Sequence, residues 1–291
     1  MALASHVLAR RSAGVYVVRV EDLDPPRVVA GSAARILDDL AWLGLGSDEP
    51  VMHQSTRHDA YADALGRLEA EGLVYPCDCS RVEIQRAASA PHAGEETRYP
   101  GTCRDEDPKR SMRRPPALRL RVPSGELGFE DLAAGSFSQD LARDVGDFVL
   151  RRGDGVYAYQ LAVAVDDLAQ GITHVVRGLD LLASTPRQLH LMKLLGAARL
   201  PAYAHVPMVV DARGERLAKR SRGARVCALR AAGVPVEEVL GALAFGIGLR
   251  DDPSPCALAA LASGPSRFAW RRTAWRIPES WAASDPIDPG H

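Results

Sequence analysis

The chain has 291 residues, 46% of them hydrophobic and 25% charged, with a formal net charge of −1. That length holds one large domain or two to three smaller ones with real cores, and so even a charge balance leaves any nucleic-acid contact to local basic patches. No run of eighteen apolar residues occurs and residues 1–14 are interrupted by His6, Arg10 and Arg11 where a signal peptide would need an apolar segment, so neither a membrane span nor a signal peptide is expected in these residues; the cytoplasm is the expected compartment, and five cysteines, an odd number, argue against a disulfide framework.

Residues 2–11 place Leu3, Val7 and Leu8 on one face and read as an amphipathic helix that stops at Gly14. It has no Ser, Thr, Asp or Asn cap, and the strand after it has no earlier strand to lie beside, so the start of this unit is expected ahead of Met1. The apolar run 15–20 reads as a strand buried on both faces that empties into Glu21, Asp22, Asp24 and two prolines. Ligands bind at the carboxyl ends of strands in open α/β sheets, so the three acids are site candidates; a solvated acidic turn is the equal alternative. Ser32 is expected to cap a helix carrying Ile36, Leu37, Leu40 and Leu43, and Ser55 a second running to about Glu71. Strand, helix, helix, short strand is an α/β rhythm.

The run Tyr75-Pro76-Cys77-Asp78-Cys79-Ser80 breaks it. Cys77 and Cys79 are too close to pair comfortably with each other, but their thiolates can chelate one metal from a tight turn, with Cys103 arriving from a later loop. Zn2+ is the natural guest; the Tyr99 phenolic oxygen is an unusual fourth ligand, with Asp78 and His92 as rivals, and three ordinary reduced cysteines are the bland alternative. Cys227 and Cys256 read as core. Ser80 and Glu83 form a capping box. Lys109, Arg110, Arg113 and Arg114 precede an alternation over 118–122 that fits a half-exposed strand, where Arg119 and Arg121 extend the cluster; phosphate contact and a solvated face are equally open. Residues 147–161 read as a hairpin turning at Arg152-Gly153-Asp154-Gly155 and feeding a buried helix that ends at Asp166 and Asp167. A strand over 173–176 is closed by Arg177-Gly178, where an arginine can grip a carboxylate bidentately near the Tyr159 hydroxyl, ordinary packing being the alternative. Thr185-Pro186 opens a helix that stops at Gly196, residues 203–210 form a strand, and 236–249 form a helix. The basic loop 216–222 can lay Lys219 against a polyphosphate, although such loops are common. Residues 284–291 have nothing to bury and are expected to be disordered. No internal repeat is visible.

Six runs in order, VRVEDLDPPR, YPCDCSR, YPGTCR, DFVLRRGDGVYAYQLAVAVDD, GITHVVRGLDLLASTPRQ and RLAKR, resemble successive landmarks of the glutamyl-tRNA synthetase family. The resemblance covers residues 15 to about 249. It implies an α/β fold, the Rossmann-like parallel sheet of a class I aminoacyl-tRNA synthetase, with a small zinc-binding insertion and a short C-terminal helical region. The expected units are 1–76 and 147–210 for two parts of the catalytic domain, 77–146 for a zinc-binding and tRNA-contacting insertion, 211–283 for a KMSKS-like loop and helical region, and 284–291 for the tail. The short chain and the cysteine-tyrosine-cysteine pattern are similar to truncated members that lack an anticodon-binding domain, activate glutamate with ATP and Mg2+ without tRNA, and glutamylate queuosine in the tRNA(Asp) anticodon. About seventy residues after Lys219 are too few for a full helical anticodon domain.

On that resemblance Glu21 binds the α-amino group of L-glutamate, Tyr159 and Arg177 hold the rest of the amino acid, Lys219 binds ATP phosphate and assists catalysis, and Cys77, Cys79, Tyr99 and Cys103 hold one Zn2+. The chemistry agrees with the residue types: an acid for an ammonium, an arginine for a carboxylate, a lysine for a polyphosphate. A monomer without membrane contact is expected. Family members open with an RFAPSP-like strand and a HIGH-like signature that this chain lacks, and Arg216 and Ala218 depart from KLSK. An extension ahead of Met1 is therefore expected, since losing the arginine, serine and histidine of those segments should nearly abolish activation. Two further readings stay open: a truncated or inactive glutamyl-tRNA synthetase relative, and a non-catalytic zinc- and tRNA-binding protein.

Overall fold

Apolar spacing decides the helices of the computed structural model, which describes residues 1–87, 97–210, 225–265, 270–271, 273–278 and 281. The first helix, α1 (Ala2–Arg11), buries Leu3, Ala4, Val7 and Leu8 and carries Arg10 and Arg11 in its last turn, where a cation complements the helix dipole. The run that follows departs from expectation. Only Arg19–Val20 (β1) is strand, paired in parallel with Met52–His53 (β2), and Val15 is exposed. The backbone before it is held by side chains of a neighbouring loop: Tyr16 N–H donates to Asp48 Oδ2 (2.7 Å) and Val18 N–H to Ser47 Oγ (3.0 Å). With its amides so committed, the segment has no ladder to join.

Helix α2 (Ser32–Trp42) follows, capped not by Ser32 but by Gly31 in the left-handed conformation, and its Ile36 faces outward. Helix α3 (His58–Ala70) buries Tyr61, Ala64, Leu65 and Leu68. Ser55 does not cap it, because both its N–H and its hydroxyl donate to Asp22 at 2.8 Å. After β3 (Val74–Cys77), the expected capping box opens α4 (Arg81–Ala87): Ser80 N–H donates to Glu83 Oε2 (2.6 Å) and Glu83 N–H to Ser80 Oγ (3.2 Å). Then come β4 (Ala117–Leu120), β5 (Glu126–Asp131), β6 (Gly135–Asp140), a short α5 (Leu141–Asp144), β7 (Val149–Arg151), α6 (Tyr159–Ala169), β8 (His174–Gly178), α7 (Thr185–Leu194), β9 (Ala202–Val206) and β10 (Val209–Val210). The last part holds α8 (Val226–Ala231), α9 (Val236–Ile247), α10 (Leu258–Ala262) and β11 (Trp275–Arg276).

A single parallel sheet was the expectation; among the described residues the strands instead form four small sheets of mixed direction. β1–β2 and β10–β11 are parallel pairs, β3-β4-β7 is antiparallel, and the order β6-β5-β9-β8 combines an antiparallel β5–β6 hairpin with parallel β5–β9 and β8–β9 contacts. The hairpin arises because the Asp131 carboxylate accepts the Ala133 and Ala134 N–H groups at 2.9 and 2.7 Å, closing a tight turn that antiparallel strands alone can use. One core gathers α3, α6 and α7 against β4 and β7; a second packs Leu3 and Val7 of α1 against α8, α9, Trp275 and Trp281. The segment 118–122 is more buried than an alternating strand, with Leu118, Arg119 and Leu120 all inside. Helix α6 runs past the expected end, so Asp166 and Asp167 lie within it and are buried. His92, the 216–222 loop with Lys219, and the 284–291 tail fall outside the described residues.

Candidate active site

Glu21 stands one residue beyond β1 and Tyr159 opens α6, and both line one cavity of about 700 Å³ whose wall also includes Arg119, Asp147 and Arg152. Behind Glu21 lies a charged group that residue-by-residue reading did not single out. Arg19 donates to Asp167 at 2.8 Å and approaches Glu21 at 3.9 Å, while one Asp167 oxygen, Oδ2, has no hydrogen-bond partner among the described residues. Burial and the nearby Asp167 raise the Glu21 carboxyl above its ordinary range against the pull of Arg19 and Arg177. Burial, then Glu21, raises the Tyr159 hydroxyl as well. A half-buried carboxyl of this kind regains its charge when an ammonium group comes to pair with it, and the arginines Arg27, Arg81, Arg119, Arg152 and Arg187 of the same wall suit the anionic parts of a ligand.

The other two acids of the loop have partners within the protein. Asp22 accepts from Ser55, and Asp24 pairs with Arg152 (3.1 Å) and Arg27 (3.2 Å). Arg177 is buried in β8, close enough for its charge to act on Glu21 and Tyr159, although it is not part of the cavity wall. Its guanidinium donates to His205 Nε2 (3.0 Å), Gln188 Oε1 (2.7 Å), Thr185 Oγ1 (2.7 Å) and, more weakly, the Leu181 carbonyl (3.4 Å). The structure thus brings Glu21, Tyr159 and Arg177 into one electrostatic neighbourhood. Asp166, Asp167 and His205, which complete its support, could have been flagged by charge inside an apolar helix or strand, since buried charge demands partners.

The cysteines converge. Cys77, Cys79 and Cys103 hold their Sγ atoms within 4.8 Å of one another, with Cys79 and Cys103 at 3.5 Å. The Tyr99 hydroxyl is 3.3 Å from Cys77 Sγ and accepts the Cys103 N–H at 2.8 Å. Burial and the neighbouring Cys103 push the Cys79 thiol up to about 12, so the group stays protonated unless a cation draws off its proton, and three thiolates this close together would need one. Four donors at this spacing fit tetrahedral Zn2+, whose ~2.3 Å bonds to sulfur place ligand atoms under 4 Å apart. Asp78, a rival for the fourth place, is taken: Arg110 (2.7 Å) and Arg113 (3.2 Å) clamp it and hold its carboxyl far below the usual range. Most of the basic cluster is likewise engaged within the protein, although Arg113 and Arg114 remain exposed. Arg119 stacks over the Tyr99 ring at 3.8 Å and donates to the Asp147 carbonyl at 2.7 Å, Arg121 lies over Tyr75, and Arg114 approaches Glu83, which leaves Lys109 as its exposed member without an ion pair among the described residues.

Residues 1–250 match the catalytic domain of the tRNA synthetases class I (E and Q). The glutamyl-Q tRNA(Asp) synthetase of Geobacter sulfurreducens is 52% identical over 230 residues, 79% of this chain and 72% of that protein. Its counterpart in Dechloromonas aromatica is 47% identical over 272 residues, 92% of this chain and 85% of that protein. A glutamate tRNA ligase from Elizabethkingia meningosepticum superposes with a TM-score of 0.76 at 21% identity, and this chain spans 97% of itself but 64% of that structure, a likeness of fold. Among the described residues no helix is long and apolar enough to cross a membrane. The chain belongs to the class I tRNA synthetases of the E and Q type, within their glutamyl-Q tRNA(Asp) synthetase group.

Proposed function

We propose that this chain is a ligase that activates glutamate as glutamyl-adenylate without tRNA and passes the glutamyl group to queuosine in the anticodon of tRNA(Asp). The observation that carries the reading is 52% identity, across 79% of the chain, to a protein bearing that name. In the first step a glutamate carboxylate oxygen attacks the α-phosphorus of ATP and pyrophosphate leaves; in the second a queuosine hydroxyl attacks the acyl carbon and AMP leaves. Glu21 takes the α-amino group, Tyr159 and Arg177 hold the remainder of the amino acid, and Lys219, outside the described residues, binds the ATP phosphates and assists departure of pyrophosphate. Glu21 and Tyr159 line one cavity, which supports their assignment, and the charge of Arg177 just behind that wall acts on both.

Cys77, Cys79, Tyr99 and Cys103 are the residues that hold Zn2+, which ties the 97–104 loop to β3 in a structural role. The stretch 77–146 presents this unit to tRNA. ATP enters with Mg2+, and the protein works as a cytoplasmic monomer. Glutamate-dependent exchange of pyrophosphate into ATP in the absence of tRNA tests the first step, and acid-gel transfer of labelled glutamate to tRNA(Asp) with and without queuosine tests the second. Labelling of tRNA(Glu) with none of tRNA(Asp) would replace this reading with a truncated glutamyl-tRNA synthetase.

A further inference from the structure

Arg177 does not reach its orientation alone. Its Nε–H donates to His205 Nε2, and on the far side of the same imidazole Nδ1 lies 2.6 Å from Asp131 Oδ2. Arg177 and His205 face each other as register partners on β8 and β9, and Asp131 ends β5 on the other flank of β9. The three side chains therefore run across three neighbouring strands, and all are buried. Thr185 Oγ1, which accepts from Arg177 Nη2, also lies 3.1 Å from His205 Nε2 and can donate its hydroxyl proton there.

These contacts fix where the imidazole proton sits. Nε2 faces the Arg177 Nε–H, which can only donate, so it must present its lone pair. Nδ1 faces the Asp131 carboxylate, which His205 and the turn amides hold in its ionised form against the cost of burial, and so Nδ1 carries the proton. An N–H on Nε2 would set donor against donor beside a buried cation.

We infer that Asp131 and His205 form a positioning relay that fixes Arg177 for the substrate carboxylate by holding His205 in its Nδ1–H tautomer. The inference deepens the functional reading and rests on it for the identity of the ligand. Asp131 Oδ1 already accepts the N–H groups of Ala133, Ala134 and His205, so in Asp131→Asn the amide oxygen keeps that place and the amide NH2 turns to Nδ1. That donor drives the proton to Nε2 and breaks the bond to Arg177.

The test uses the full chain. Nitrogen-15 imidazole spectra should show Nδ1 protonated and Nε2 bare in the unmutated protein and the reverse in Asp131→Asn. Glutamate affinity measured by calorimetry should fall about 10- to 100-fold in Asp131→Asn, as loss of one hydrogen bond to a charged group implies. His205→Gln, whose amide oxygen can again accept from Arg177, should recover most of the affinity, and the KM for glutamate should move while that for ATP and kcat hold. An Nε2–H in the unmutated protein overturns the relay, and so does a reversed tautomer with unchanged glutamate affinity. If the unmutated protein shows the Nδ1–H tautomer yet binds no glutamate, the functional reading fails while the proton arrangement stands. Should Asp131→Asn fail to fold, the spectrum of the unmutated protein and the glutamate affinity of His205→Gln set against that of His205→Ala still decide: near-native affinity in the first with a loss in the second supports the relay, and equal affinities overturn it.

Discussion

Replacing Asp166 by alanine withdraws the acceptor of three side-chain donors at once. This carboxylate, fully buried in α6, accepts from Gln54 Nε2 (2.9 Å), Arg57 Nε (3.0 Å) and the Tyr61 hydroxyl (2.7 Å), and so joins the segment after β2 and the start of α3 to the helix that carries Tyr159. Gln54 and Tyr61 are buried too and would be left unsatisfied, at about 1–3 kcal/mol each, whereas Arg57 is partly exposed and can rehydrate. The expected loss is therefore about 4 kcal/mol, a large part of the 5–15 kcal/mol of a typical domain. Urea unfolding of Asp166→Ala, Tyr61→Phe and the double variant measures it. In the Tyr61→Phe background the hydroxyl is already gone, so Asp166→Ala should cost about 1–3 kcal/mol less there than in the unmutated chain. A coupling below about 0.5 kcal/mol would show that the two groups are not joined as described and would refute the reasoning.

Three other outcomes are expected. Gly146 adopts φ 75°, and a Cβ there would lie 2.2 Å from the Tyr99 carbonyl oxygen, so Gly146→Ala should cost about 2–4 kcal/mol in urea unfolding, from left-handed strain and a backbone clash that no side-chain movement relieves. Elemental analysis of untagged protein should find about one zinc per chain, falling well below that in Cys79→Ser; none in the unmutated protein would remove the cysteines and Tyr99 from the site. Asp48 accepts both Arg10 nitrogens (2.6 and 2.7 Å) and the Tyr16 N–H, which lower its carboxyl from 3.8 to about 2. A group depressed on folding stabilises above its unfolded value, so about 1 kcal/mol should be present at pH 4 and above and fade toward pH 2. Melting curves of Asp48→Asn across this window should lack that limb.

Periodicity made α1 and α3 legible, because each buries an apolar stripe whose spacing is visible in the chain, whereas α7 was legible from its Thr185-Pro186 opening, since the residues it buries include Arg187 and Gln188. The run 15–20 misled for a physical reason: β-branched residues propose a strand, but Asp48 and Ser47 took the amides that a strand would have offered. The Ser55 cap failed similarly, since Ser55 serves Asp22. Arg119 looked like a surface charge, yet Tyr99 and the Asp147 carbonyl give it an interior partner set. Cys77, Cys79 and Cys103 were legible because chemistry at short spacing identifies itself. The support of Arg177 was not, because it depends on which strands lie side by side, and Asp131 and His205 are 74 residues apart.

Helix α1 has a history imposed by the direction of synthesis. Its apolar face is covered by residues from the last third of the chain, and Arg11 Nε reaches the Leu261 carbonyl across 250 positions. At about 5–20 residues per second, a ribosome needs roughly 12–50 s to make that interval. For that time Leu3 and Val7 are outside the tunnel with their partners unmade, a window in which a chaperone or a neighbouring nascent chain can claim them. Helix α1 thus leaves the ribosome long before it can settle.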